Sequence, residues 1–363
     1  MPLREWSRSS MKSRLSVTLE ERYLLTRQLY VLQKAGVPLL SSLHALQTQL
    51  PSGGLKRILF LVHQDLQEGH TFSQALGRYP AVFNPIFVGL IRVGEAGGLL
   101  EEVLHQLTQL LEWEIELRHR LREALQYPII VLLTLSAALT VMAVFVLPRF
   151  AEMFQSFHIR LPLQTRLLIW LSHLVSHDGW LIGLVMVGLG IGWWMDYRTE
   201  TGRLRWHTWA LRLPVIGQML LQLSMSRFAR VTAALNHSGV PILETLALAS
   251  ESVDNRYVRA KLDVVRQRVK GGEPLAKALQ SQPLFPAVVV QMVATGEETG
   301  RLDELLQSVS DYYDQQTTYT LKKLITYIEP FLLLVVGLGV LLMATAVFVP
   351  MWDLVKIFKH TGG

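Results

Sequence analysis

Residues 94–102 read Gly94-Glu95-Ala96-Gly97-Gly98-Leu99-Leu100-Glu101-Glu102, and residues 296–304 read Gly296-Glu297-Glu298-Thr299-Gly300-Arg301-Leu302-Asp303-Glu304. Working outward, the likeness continues on both sides. Gly36-Val37-Pro38-Leu39 returns as Gly239-Val240-Pro241-Ile242. Pro128 opens an apolar run that closes at Pro148, and Pro330 opens another that closes at Pro350. The offset is 203 early in the unit and 202 later, so one residue is lost between Leu76 and Phe83. A duplicated unit, soluble part first and apolar run last, predicts a membrane scaffold with two similar soluble domains.

The chain has 363 residues, enough for two such domains plus membrane spans. Its mean hydropathy of +0.29 is high for a purely soluble protein. The net charge of +6 is not gathered into a nucleic-acid-binding tract. Residues 1–127 hold 14 Lys/Arg against 12 Asp/Glu, and residues 195–329 hold 16 against 14, the mixture expected of solvated helix faces. With no cysteine, disulfides and thiolate metal sites are excluded. Arg4, Arg8, Lys12 and Arg14 are followed by no apolar core, so residues 1–19 read as a tail without a signal peptide.

Three spans are predicted. Ile129–Val146 is 18 residues without a charge, about 27 Å as a helix, close to the hydrocarbon thickness. Phe331–Val349 is 19 residues without a charge and contains Gly337 and Gly339, which permit self-association. A middle span has its core at 179–195 and extends back to 171, with Trp180, Trp193 and Trp194 at belt positions. The spans are bounded as 128–148, 171–195 and 330–350, with 149–170 an external connector and 351–363 an external tail. Arg118, Arg120 and Arg122 before the first span, and Arg198, Arg203, Arg205 and Arg212 after the second, place residues 20–127 and 196–329 in the cytoplasm. Three spans from a cytoplasmic start leave the C-terminus outside.

The soluble segments read as short antiparallel helices. Leu25, Leu29 and Leu32, then Leu39, Leu43 and Leu46, recur at helical spacing. Gly36 suits a left-handed helix end, and Pro38 and Pro274 the first turn of the helices that follow. Gly69 and Gly94 read as further stops, Thr71 with Gln74 as a capping box, and Asn84-Pro85 as N-cap and first helical residue. From about Leu99 one long helix is predicted through Tyr127 into the first span. Five or six helices per domain follow, in an all-α protein. Pro128 and Pro330 stand at the joints, either as kinks that pass on a push from the bundle or as markers of the lipid boundary.

Residues that carry chemistry are few. Glu95 and Glu297 lie in matched Gly-Glu-x-x-Gly-x-Leu segments and are expected just before a helix N-terminus, where negative charge is stabilised. They read as turn acids organising backbone amides, or as a partner contact or weak divalent-ion site; a lone carboxylate is poor support for a metal. His173 and His177 share a helix face with no third ligand in view. Glu329 is the one acid touching a span, beside Lys322 and Lys323. No Gly-x-x-x-x-Gly-Lys-[Ser/Thr] phosphate loop and no Gly-x-Ser-x-Gly elbow occur, and the interiors of the predicted spans (129–146, 179–195 and 331–349) hold no Asp, Glu, Lys or Arg. Neither a catalytic set nor a cofactor is therefore expected. A small membrane transporter component is the alternative, since repeats around spans recur in transporters, although polar midplane groups are missing.

Arg120-Leu121-x-x-Ala124-Leu125-x-Tyr127-Pro128 followed by Val146-Leu147-Pro148 resembles the signature at the membrane boundary of the type II secretion F protein family, which includes the platform proteins of type IV pili and competence pseudopili. The Gly36/Pro38 and Gly239/Pro241 elements, the Gly94-Glu95/Gly98 and Gly296-Glu297/Gly300 elements, and Glu329-Pro330 are similar to its motifs. The resemblance covers roughly residues 20–355. It implies two cytoplasmic six-helix bundles and three spans in the bacterial inner membrane. It also implies a non-enzymatic platform between a cytoplasmic assembly ATPase and pilin or pseudopilin subunits. Other inner-membrane assembly proteins, membrane lipids and further copies of the chain are the remaining expected partners, with no direct nucleic-acid contact. Longer members carry an N-terminal extension whose contacts are in doubt here.

Overall fold

A computed structural model describes residues 17–142, 145, 188, 190, 192 and 194–361. Among them all regular structure is helical. The first copy comprises α1 (Leu19–Lys34), α2 (Leu39–Gln49), α3 (Gly54–Gln67), α4 (Phe72–Gly77), α5 (Pro85–Gly97) and α6 (Leu100–Val141). A lead-in helix, α7 (Glu200–Arg212), precedes the second copy. There follow α8 (Ile216–His237), α9 (Ile242–Ser252), α10 (Arg256–Lys270), α11 (Leu275–Gln280), α12 (Ala287–Thr299) and α13 (Leu302–Thr361). The sequence offset reappears as geometry. α2 and α9, and α4 and α11, are displaced by 203 residues at both ends, whereas α5 and α12 are displaced by 202. The lost residue therefore falls in the loop between α4 and α5.

The helix ends are repeated as well. Gly36, Gly69 and Gly98 take positive φ, and so do Gly239, Gly272 and Gly300. At Gly36 the amide of Val37 reaches back to the carbonyl of Leu32 (3.0 Å) and that of Gly36 to Gln33 (2.9 Å). Val240 to Leu235 (3.0 Å) and Gly239 to Asn236 (2.9 Å) repeat the pattern, which satisfies carbonyls a helix end otherwise leaves open. At the starts, Thr71 and Gln74 form the expected capping box on α4, and Asn84 caps α5 by accepting from the amide of Phe87.

Two expectations need correction, and one helix is longer than its apolar run. Gly94 does not stop a helix: α5 runs on to Gly97, and Gly98 is its left-handed cap. Gly94 is glycine for space, because a Cβ there would lie 2.8–2.9 Å from the Val103 side chain. Pro38, Pro241 and Pro274 occupy N-cap positions, one residue before the first helical turn. Pro350 does not end the last helix, for α13 continues through Pro330 and Pro350 to Thr361.

Two compact units emerge. The first joins the chain up to Arg120 with His207–Thr320, so both copies lie in it. One core runs through both, with Leu43, Ile58, Leu90 and Leu104 from the first and Leu235, Val258, Leu279 and Val293 from the second. The second unit gathers the described residues of 121–206 and 321–363. There Ala124 and Leu332 are buried, and Gly339 receives Leu135, whose Cδ1 would lie 2.8 Å from an added Cβ. Gly339 thus serves a contact within the chain, as small residues do between membrane helices. Among the described residues two helices carry a stretch long and apolar enough to cross a membrane, one in Leu100–Val141 and one in Leu302–Leu341. Residues 1–16, the connector at 149–170 and most of the predicted middle span, including His173, His177 and Trp180, lie outside the described residues.

The two glycines of the corner make different demands. Gly94→Ala forces a Cβ into Val103, an overpacking of about 1–3 kcal/mol. An added Cβ at Gly97 would lie 3.7 Å from Leu99, ordinary contact. In detergent, thermal unfolding of Gly94→Ala is expected several degrees below wild type, with Gly97→Ala near wild type.

Candidate functional site

The paired acids sit at the corner that ends each copy's fifth helix. Glu95 belongs to the last turn of α5, not to the residues preceding a helix as its sequence context implied. Its side chain reaches across to a different helix. Oε1 accepts from the amide of Phe72 (2.5 Å), and Oε2 from the amide (3.0 Å) and hydroxyl (2.8 Å) of Ser73. Glu297, in α12, accepts from the amides of Leu275 (2.6 Å) and Ala276 (2.8 Å). A charge-assisted pair of bonds thus holds the start of a six-residue helix, α4 or α11, against the end of the next. The carboxylate also opposes the positive end of that short helix dipole. Of the two roles open in the sequence, organising backbone amides is the one the structure displays. Among the described residues no group of three or more metal-ligating side chains is assembled.

The copies differ in how much depends on the acid. α4 has Thr71 as a second side-chain acceptor, bonded to the Gln74 amide at 3.2 Å. α11 has Pro274 at its N-cap, which makes no side-chain cap. Gly98 and Gly300 then turn the chain: Leu99 donates to the carbonyl of Gly94 (2.8 Å) and Arg301 to that of Gly296 (3.0 Å). From these turns α6 and α13 start, each with acids in its first turn, Glu101 and Glu102 or Asp303 and Glu304.

Two links between the copies were not foreseen. His237, in the last turn of α8, bonds Asp303 Oδ2 through Nδ1 (2.7 Å) and Glu102 Oε1 through Nε2 (3.1 Å). One imidazole therefore ties the starts of both long helices. The Asp303 hydrogen bond raises the His237 pKa above its ordinary 6.5, against a smaller lowering by burial. The same bond holds the Asp303 carboxyl below its usual range. Further along, Trp113 Nε1 donates to Asp314 Oδ2 (2.9 Å), which also accepts from Arg230 Nη2 (2.7 Å). Ser226 donates to the other oxygen of Asp314, and the Arg230 guanidinium lies 5.2 Å over the Trp113 ring. The signal for His237 was present in the alignment of the copies: it stands where the first has Lys34, also basic and also in the last turn. Trp113 stands opposite Gln315, a mismatch that periodicity cannot flag.

The residues expected at the membrane boundary separate into two groups. Arg120 lies in the first unit, bonded to Glu116 (2.5 Å) and to Thr318 (3.2 Å), and Arg118 pairs with Glu114 (2.9 Å). Tyr127, Pro128 and Glu329 lie in the second unit and line one groove of about 310 Å³ with Glu123, Ala124 and Leu332. Pro128 lies inside α6, and Pro330 inside α13 beside Glu329.

The family described as "Type II secretion system (T2SS), protein F" matches this chain twice, over residues 25–148 and 228–350. The two matches start 203 residues apart and end 202 apart, the offset of the helices. A type IV pilus assembly protein PilC of Myxococcus xanthus is 32% identical over 314 residues, 86% of this chain and 75% of the relative. A type II secretion system protein F of Aeromonas hydrophila is 32% identical over 343 residues, 94% of this chain and 88% of the relative. A PilC of Thermus thermophilus is 32% identical over 338 residues, 93% and 83% of the two chains.

Two outcomes follow from the geometry. Removing a helix cap costs about 0.5–2 kcal/mol. Glu297→Ala is expected to lower the thermal midpoint more than Glu95→Ala, because Thr71 still caps α4. The second outcome concerns pH. A group whose folded pKa is raised contributes stability that is complete below its unfolded value and lost as pH rises through the folded value. The His237 link is therefore expected to weaken from about pH 6.5 upward, with Asp303 ionised throughout. Between pH 6 and 8 the wild type should lose more thermal stability than His237→Gln, measured in one detergent at fixed ionic strength.

Proposed function

We propose, from the premise that this chain belongs to the type II secretion system protein F family, that it is a non-enzymatic platform of the bacterial inner membrane for building pilin or pseudopilin fibres. The observation that carries the reading is the double family match, one over each copy, with relatives named for type II secretion and for type IV pilus assembly. In this reading each copy is a cytoplasmic six-helix bundle, at 20–127 and 196–329. The chain crosses the membrane three times, with its N-terminus in the cytoplasm and its C-terminus in the periplasm. A cytoplasmic assembly ATPase acts on the bundles, and pilin-like subunits, other inner-membrane assembly proteins and lipids meet the membrane part.

The helical construction supports a mechanical role. α6 and α13 each contain core-forming residues of a copy (Leu104 and Leu107, or Leu306 and Val309) and a charge-free apolar run. A force that shifts a bundle is thereby passed along a continuous helix instead of a loop. Gly94-Glu95/Gly98 and Gly296-Glu297/Gly300 set the angle at which each long helix leaves its copy. Gly36, Pro38, Gly239 and Pro241 set the corner between the first two helices of each.

The test is Glu95→Ala combined with Glu297→Ala in the native host. At unchanged protein level, fibre assembly is expected to fall away while the partner ATPase hydrolyses ATP at its normal rate. Wild-type fibre numbers in that variant contradict the proposed role of the two corners.

A further inference from the structure

Within the first unit the two copies meet through different faces. The first contributes α5 and α6, the second α8 and α9. Leu248 of α9 fits over Gly89 of α5, where an added Cβ would lie 2.9 Å from its Cδ1. Arg92 of α5 pairs with Glu244 of α9, and His237 of α8 with Glu102 of α6. The Arg227 guanidinium of α8 lies 6.0 Å over the ring of Trp113 in α6. Two similar units joined through unlike faces form a head-to-tail contact, and such a contact leaves one matching face unused at each end.

Both unused faces are visible in the burial pattern. On α8, Val231, Ala234 and Ser238 are buried, and on α1 their counterparts Gln28, Val31 and Ala35 are exposed. The contrast is 5% exposure at Ala234 against 55% at Val31, with Leu24 two turns away at 52%. At the other end, Ile86, Gly89 and Leu90 of α5 are buried, while Val288 and Gln291 of α12 are exposed and Met292 is half-buried. Ile86 is 9% exposed and Val288 47%. Leu110 and Trp113 of α6 are half-buried, and their counterparts Tyr312 and Gln315 of α13 are exposed.

The two free faces retain one charge pairing of the joined ones. Translated by the repeat offset, the His237–Glu102 pair becomes Lys34 opposite Glu304, again a base opposite an acid. Lys34 now has only the Tyr30 hydroxyl at 3.3 Å as its partner among the described contacts, and Glu304 has Arg301. The Leu248-over-Gly89 contact becomes Ala45 opposite Gln291, a small side chain facing a larger polar one, and Arg92–Glu244 becomes Ala294 opposite Ser41. By the same translation Arg227 over Trp113 becomes Leu24 opposite Gln315, while Val31 on one face and Val288 and Tyr312 on the other add exposed apolar surface. We propose that a second copy of this chain docks its α1–α2 face on the α12–α13 face of the first, continuing between molecules the head-to-tail packing that joins the repeats within one.

The chain has no cysteine, so introduced pairs report without background. The test uses full-length protein in membranes, with Lys34→Cys on one chain and Glu304→Cys on a differently tagged chain, expressed together and oxidised. A disulfide species of twice the mass, carrying both tags, is expected, and neither variant expressed alone should form it. Self-crosslinking of either single variant would mean a symmetric contact and overturn the proposal. Absence of the mixed species would overturn it too, provided thermal unfolding shows both variants folded. A charge swap checks the same contact without cysteine. Lys34→Glu is expected to reduce the oligomer seen by light scattering in detergent, and adding Glu304→Lys to restore it. An oligomer untouched by Lys34→Glu, with the cysteine pair silent, would assign its interface to another face.

Discussion

Each copy depends on one corner, where a carboxylate from the end of a helix holds the amides that begin an earlier, much shorter one. Six residues are too few to form a helix unaided, since nucleation costs more than one turn returns. Glu95 and Glu297 supply the missing interaction by neutralising the exposed amides of α4 and α11. The bond also fixes where α5 and α12 stop. Gly98 and Gly300 then reverse the chain in a conformation that costs a residue with a Cβ roughly 1–2 kcal/mol. Gly94 and Gly296 let the departing helix press against the one just ended, with added Cβ atoms meeting Val103 or Leu302. The direction in which each long helix starts is set by these few residues.

Duplication places that corner twice in the chain, yet the copies have diverged where they touch. Gln28 and Val31 stand exposed on α1 where their counterparts Val231 and Ala234 are buried on α8. The second uses His237, Arg230 and Asp314 to engage Glu102 and Trp113 of the first. The Arg230–Asp314–Trp113 link is specific because a largely buried charge without its partner is costly. With the His237 link it locks the register of α6 against α13 near their starts and again a few turns on. The double family match accords with two copies that share one core in the first unit.

Much of this was legible in the residues. The bounds of α2 and α9, of α4 and α11, and of α5 and α12 follow the repeat offset to the residue, and Thr71, Gln74, Asn84, Gly36 and Gly69 act as their local chemistry dictates. The errors share a physical cause. Gly94 read as a helix stop because glycine is usually there for its backbone freedom, whereas here it is there for its missing Cβ. Glu95 read as acting on the helix that follows it in sequence, whereas its side chain serves one 22–23 residues earlier. The His237 and Trp113 links join residues 135 and 201 positions apart, with no local pattern to announce them. Position in sequence conveys caps and turns well, because those bonds span three to five residues. It conveys poorly any bond that exists only once two helices have packed.

The function rests on what the chain assembles with. A crosslinked pull-down of the detergent-solubilised protein from its own cells, read by mass spectrometry, addresses that most directly. A platform is expected to bring down an assembly ATPase together with pilin-like subunits, and the identity of those subunits would separate secretion from pilus building. Recovery of neither, while the bait crosslinks efficiently to itself, would contradict the platform account.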